Sequence, residues 1–232
     1  ELQNQPSKLN AAIEALDAEG FQIHFHAIGD YAIEVSFDSL QNAREKNGKR
    51  DSRHHISHIE VFQEKDISRF NELDVVANFQ PLWAIEDEYI TEHTWPKIGQ
   101  ERSKYLYPIG SVKRSGGKIA FGSDWYVTSV NPLDGIETAV TRLEPNGLTK
   151  NPLGVNEEIG LADAIEAYTL NGAYVNFLDK KVGSIEVGKQ ADLIVLDKNL
   201  FEILPKEINE SRVLATIFNG DIVFGSYEDL QN

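Results

Sequence analysis

Short apolar runs and amphipathic stretches alternate along the first 179 residues of this chain, and that alternation narrows the possible folds more than any other feature. Residues 7–18 carry Leu9, Ile13 and Leu16 at helical spacing. Strands are expected at 21–26, 55–59, 75–79 and 118–122, each a short apolar run. Helices are expected between and after them, at 31–46, 65–73, 101–115, 135–142 and 161–178, the first with Asp30 as N-cap and a stop at Asn47-Gly48. Residues 82–99 look like a long aromatic connection. Strands separated by helices imply a parallel sheet with right-handed crossovers.

After residue 180 the texture changes. "VGSIEVGKQADLIVLD" and "VLATIFNGDIVFG" have the pattern of β-strands, the second a hairpin turning at Asn219-Gly220. The chain therefore divides into an α/β unit, 1–179, and a β segment, 180–232.

Charge and composition exclude several classes of function. With 22 basic against 37 acidic residues, neither nucleic acid nor an anionic membrane is an expected partner. There is no cysteine, so a metal could be held only by histidine and carboxylate. No apolar run approaches spanning length, and the first twenty residues resemble an amphipathic helix, not a signal peptide; a cytoplasmic location is expected. The chain neither begins with methionine nor contains one, and it is expected to be part of a longer protein.

Three polar residues fall at the C-terminal ends of separate expected strands: His26, His58 and Asp124. That edge of a parallel sheet is where α/β sites are built. Two imidazoles and a carboxylate suit zinc or a similar divalent ion. On the residues alone, a hydrogen-bonded core histidine and a turn-forming aspartate explain them equally well. Period-two alternation puts His24 on the face of His26, one layer deeper, and His54 on the face of His58, toward the far end. His54 and His55 are expected to pack or hydrogen-bond, and His93 to lie in the aromatic loop.

Seven segments, in order, resemble the amidohydrolase superfamily. They are "HAIGD" (26–30), "RHHISHIEVFQEKDISRF" (53–70), "NFQPLWA" (78–84), "FGSDW" (121–125), "NPLDGIETAVTR" (131–142), "AYTLNGAYVNFLD" (167–179) and "GSIEVGKQADLIVLDKNLF" (183–201). The nearest branch is the amidohydrolase-3 group, with enzymes similar to N-substituted formamide deformylases. The resemblance implies the C-terminal half, strands 5–8, of a metal-dependent hydrolase (β/α)8 TIM barrel, plus part of a small β-sandwich. It casts His26, His58 and Asp124 as ligands from the fifth, sixth and eighth barrel strands, and the residues 75–79 as the seventh, with Gln80 at its mouth. "HFH" (24–26) looks like the family's first-strand metal pair, but too few βα units follow it for that assignment.

The activity so implied is hydrolysis of carbon–nitrogen bonds other than peptide bonds in an amide-like small molecule. Asp124 would be both metal ligand and general base. Gln80, Trp83 and Trp125 would line the substrate pocket. The cofactor would be a divalent metal, most simply zinc, absent or weakly bound in this chain alone. The missing N-terminal half would be a partner, and the chain would self-associate through open strand edges and an apolar barrel-facing side, with little activity of its own. The alternative is a non-catalytic half-barrel that serves as a binding or assembly module.

Overall fold

The computed structural model describes residues 4–226 except 146, 148 and 155, so the last six residues of the expected β segment lie outside the described residues. In chain order the elements are α1 (Pro6–Ala18), β1 (His24–Ala27), α2 (Asp30–Asn47), β2 (His55–His58), α3 (Arg69–Glu72), β3 (Val76–Phe79), α4 (Trp95–Ser103), α5 (Ile109–Arg114), β4 (Ile119–Phe121), α6 (Pro132–Thr141), α7 (Leu161–Tyr168) and α8 (Leu170–Val175). β5 (Leu193–Leu196), β6 (Val213–Phe218) and β7 (Asp221–Phe224) follow.

The first four strands form one parallel sheet in sequential order, β1-β2-β3-β4, as the alternation requires. Their apolar side chains pack under the helices. Phe25 and Ala27 of β1, Ile56 of β2, Ala77 and Phe79 of β3 and Ile119 of β4 share one core with Ile33, Phe37 and Leu40 of α2 and Val112 of α5. Phe37, Ile56 and Phe79 are completely buried. Truncating any of these three to alanine would cost about 2–5 kcal/mol. The second sheet is antiparallel, β5-β6-β7, with the β6–β7 hairpin turning at Asn219-Gly220. Both turn residues take positive φ (51° and 90°), as a two-residue hairpin of this kind demands.

Several local expectations fail for identifiable reasons. Gly29, not Asp30, occupies the N-cap of α2; the Asp30 carboxylate instead accepts from the Tyr31 N–H and from Arg102. The expected aromatic connection is largely helical, with a 3₁₀ turn (Pro81–Trp83) and a π-helical stretch (Tyr89–Thr94) running into α4. Its apolar members Ala84 and Ile90 join the core, which a solvated loop would not allow. The expected helix at 101–115 breaks at Tyr107, left-handed at φ 47°, and Pro108, which caps α5. The last expected helix breaks at Thr169 (φ −112°, ψ −88°) into α7 and α8. In "VGSIEVG", positive φ at Gly183 and Gly188 turns the chain, so the strand there is confined to β5.

The face of the parallel sheet turned away from the helices carries His24 and His26 from β1, His55 and Ser57 from β2, and Asn78 from β3, which donates to Ser57 Oγ at 2.9 Å. This face is chiefly polar, not apolar as expected. Its apolar pair, Val76 and Ala120, is covered by Val175 and Tyr174 of α8. β1 is an edge strand: Ile23 and Ala27 direct their carbonyls toward β2, so the alternating backbone groups of His24 and His26 look outward.

Candidate active site

The sheet's C-terminal rim brings two of the three expected residues into contact. The His26 and His58 rings meet edge-on with centroids 4.4 Å apart. Regular strand geometry would not produce this. His58 is in register with Ala27, whose side chain faces the helices, so simple alternation would send His58 there too. Instead His58 takes φ 80° and Ile59 φ 54°, and the left-handed turn carries the His58 ring over to the open face. For the fully buried, β-branched Ile59 this conformation is strained by about 1–2 kcal/mol. Core packing holds it in place.

The same turn corrects the expected placement of His54. His54 points to the helix side, where its Nδ1 accepts from the Ile23 N–H (2.9 Å) and its Nε2 lies 3.1 Å from Asp17 Oδ1 of α1. The Ile23 bond fixes the neutral tautomer with the proton on Nε2. His55 does pack, as expected: its ring meets His24 at 4.7 Å in a layer beneath the His26–His58 pair. Burial, reinforced by the neighbouring His24, pushes the His55 pKa down to about 4.

Asp124 follows β4 and is also left-handed, at φ 51°. Burial holds the His58 pKa below its usual value, His26 reinforces that, and Asp124 and the Gln80 carboxamide act in the opposite direction. Asp124 thus lies within electrostatic reach of His58. The following loop is braced by bonds from Trp125 N–H to Ser123 Oγ (3.2 Å) and Val127 N–H to the Asp124 carbonyl (2.8 Å). It presents Trp125, 70% exposed, to solvent.

Trp83 lies elsewhere in the site. Its ring stacks face to face on His58, with centroids 5.0 Å apart and planes 2° from parallel. Gln80 is buried, and its Oε1 lacks a hydrogen-bond partner, as does His58 Nδ1. His93 packs edge-on against Tyr89 within the π-helical stretch. The donor chemistry of His26, His58 and Asp124 fits a divalent ion in kind. Among the described residues, no three histidine, cysteine or carboxylate side chains are gathered closely enough to enclose one. Sequence spacing could not anticipate the left-handed turns or the stack; Pro81, just after Gln80, was the one visible signal that the chain turns back there.

A parallel α/β sheet with polar residues collected at its C-terminal rim is the class of architecture in which sites are built at strand ends. Comparison with known proteins narrows the class: residues 2–224 match the model of the amidohydrolase family, and the chain belongs to that family. It is 35% identical over 216 residues to the protein LONG AFTER FAR-RED 3 of Arabidopsis thaliana, a match covering 93% of this chain and 36% of that protein. It is 28% identical to the N-substituted formamide deformylase of Arthrobacter pascens, across 87% of this chain and 36% of the enzyme. A crystal structure of a metal-dependent hydrolase from Pyrococcus horikoshii superposes with a TM-score of 0.74 at 24% identity, over 88% of this chain and 40% of that one. The chain thus spans little more than a third of the length of these two curated relatives. Among the described residues, no helix is long and apolar enough to cross a membrane.

Proposed function

We propose that this chain supplies part of the active site of a metal-dependent hydrolase that cleaves carbon–nitrogen bonds, other than peptide bonds, in an amide-like small molecule. The observation that carries this proposal is the meeting of the His26 and His58 rings at the sheet's C-terminal rim, with Asp124 close enough to act on His58. His26, His58 and Asp124 would hold a divalent ion, most simply zinc. Such an ion supplies Lewis-acid polarisation of a carbonyl and acidifies water. The Asp124 carboxylate would take the proton from the attacking water and deliver it to the leaving nitrogen. Trp125, exposed beside Asp124, would meet the substrate.

The parallel sheet corresponds in this proposal to barrel strands 5–8, within a unit of residues 1–179, and the antiparallel sheet to part of a β-sandwich in 180–232. The matched relatives are far longer, which supports a requirement for a complementary N-terminal half. Its strands would cover the open edge of β1. Taken alone, the chain would bind metal weakly, show little activity and self-associate through that edge.

Quantitative metal analysis and amide hydrolysis, on this chain and on a longer protein carrying the preceding segment, test the proposal. In the longer protein Asp124→Asn is expected to lower turnover about 10²–10⁴-fold, because an amide cannot accept the water's proton. Unchanged turnover would overturn the assignment. One observation favours a different reading, a half-barrel assembly module without catalysis: the lack of a closed three-ligand group among the described residues. A longer protein that binds no metal and hydrolyses no amide would establish that alternative.

A further inference from the structure

Gln80 and Trp83 bracket a short turn at the end of β3, the strand that lies beside β2 and its terminal His58. Gln80 precedes the 3₁₀ turn, and the turn is closed by a hydrogen bond from the Trp83 N–H to the Gln80 carbonyl at 3.0 Å. One end of this turn therefore fixes the other. Trp83 lies flat on the imidazole. Gln80 ends in a buried Oε1 with no partner, while His58 offers a buried Nδ1 with no partner. Two buried, complementary and unsatisfied atoms in one small site cost free energy unless they meet.

We propose that the Gln80–Trp83 turn is a clamp for His58, in which the Gln80 carboxamide oxygen accepts the Nδ1 proton and the Trp83 indole holds the ring plane, leaving the Nε2 lone pair directed into the site. Gln80 and Trp83 are then positioning residues that act through His58, rather than contacts for substrate. Burial gives this consequence for Gln80, and the ring stack gives it for Trp83. Gln80 is 4% exposed, so it presents almost no surface to a ligand. The left-handed backbone at His58 gives such a clamp its purpose, because regular strand alternation no longer sets the direction of the ring. Outer partners of this kind set the tautomer of a metal-binding histidine. The clamp rests on the proposed function for its purpose, but its geometry can be tested without metal or substrate.

The test is imidazole nitrogen–proton correlation spectroscopy on the full 232-residue chain, free of metal. The wild-type chain is expected to show His58 as a single tautomer with the proton on Nδ1. Gln80→Leu should yield a mixture of tautomers, and Gln80→Glu, which keeps an acceptor, should restore the single one. Trp83→Ala should broaden or shift the His58 ring signals, while Trp83→Phe, which keeps a flat face, should preserve them. Zinc titration of the longer protein, read by calorimetry, is a second arm, with a loss of about 10–100-fold in affinity expected for Gln80→Leu. A wild-type His58 protonated on Nε2 would overturn the clamp, as would a tautomer indifferent to Gln80→Leu in a chain whose other histidine signals are unchanged. Failure of zinc to bind the longer protein would count against the metal assignment alone, because the tautomer still decides the clamp.

Discussion

His54 and His58 stand four residues apart around the same strand, and the two ends of the sheet treat them in opposite ways. At the N-terminal end, His54 uses both nitrogens, one for the Ile23 N–H and one for Asp17, and Asp17 in turn holds Arg50 and Asn47. Beside it Arg53 pairs with Asp51 and Asp179, donates to the Tyr174 carbonyl and lies over the rings of Tyr174 and Phe177. At the C-terminal rim, His58 keeps an unpaired nitrogen, Gln80 an unpaired oxygen, and both His58 and Asp124 sit in left-handed backbone. One end satisfies its polar groups and ties α1, α8 and the following linker to the sheet. The other leaves polar groups without partners, as the proposed active site requires. On the proposed function, stability and chemistry fall to opposite ends of a strand only four residues long.

Substitutions can break this comparison. The largest effect is expected from Arg53→Ala, which removes the partner of Asp179 and of the Tyr174 carbonyl and loosens one of the links between α8 and the sheet. It should cost about 1.5–3 kcal/mol through lost charge-assisted hydrogen bonds, read from urea unfolding midpoints. His58→Asn, at a position whose positive φ asparagine tolerates, should leave the midpoint nearly unchanged while impairing zinc binding. If His58→Asn destabilises as much as Arg53→Ala, the division between the two ends is wrong.

A smaller effect is expected from pH. The folded chain holds His55 near 4 and His54 below its ordinary value, chiefly by burial, whereas the unfolded chain titrates both near 6.5. Between these values the unfolded state binds more protons. Stability is therefore full above about pH 6.5 and declines as pH falls toward 4. Unfolding midpoints compared at pH 7 and pH 5 should show that decline, and His55→Gln should lessen it. A midpoint that rises on acidification would refute the assignment of buried, neutral histidines.

How much of this was legible in the sequence follows from what spacing encodes. Hydrophobic period set the parallel sheet and the identity of its strands, because burial on the helix side imposes it directly, as at Phe25, Ile56 and Phe79. Asn219-Gly220 set the hairpin because few other pairs accept two positive φ angles. Strand ends correctly brought His26 and His58 to one rim. What period could not supply was direction. The rule that side chains alternate placed His54 and His58 on one face, and it failed at His58 because a left-handed residue no longer obeys it. The substrate-lining role expected of Trp83 did not anticipate its stack on His58, since that contact depends on a 3₁₀ turn within what looked like a loop. The polar open face was legible in principle, from His24, His26, His55, Ser57 and Asn78, once the strand registers were known.

The left-handed pair His58–Ile59 also bears on descent. Its two dihedral angles, rather than any residue spacing, decide whether the imidazole reaches the rim or faces the helices. A lineage could therefore keep every apolar position of this sheet, and with it the fold, while a change in that turn silently removed the chemistry. The reverse also holds: a histidine already present on the helix side of such a strand could be recruited to a rim by backbone change alone. Inheritance of the architecture and inheritance of the reaction are separable here at the level of a single peptide unit.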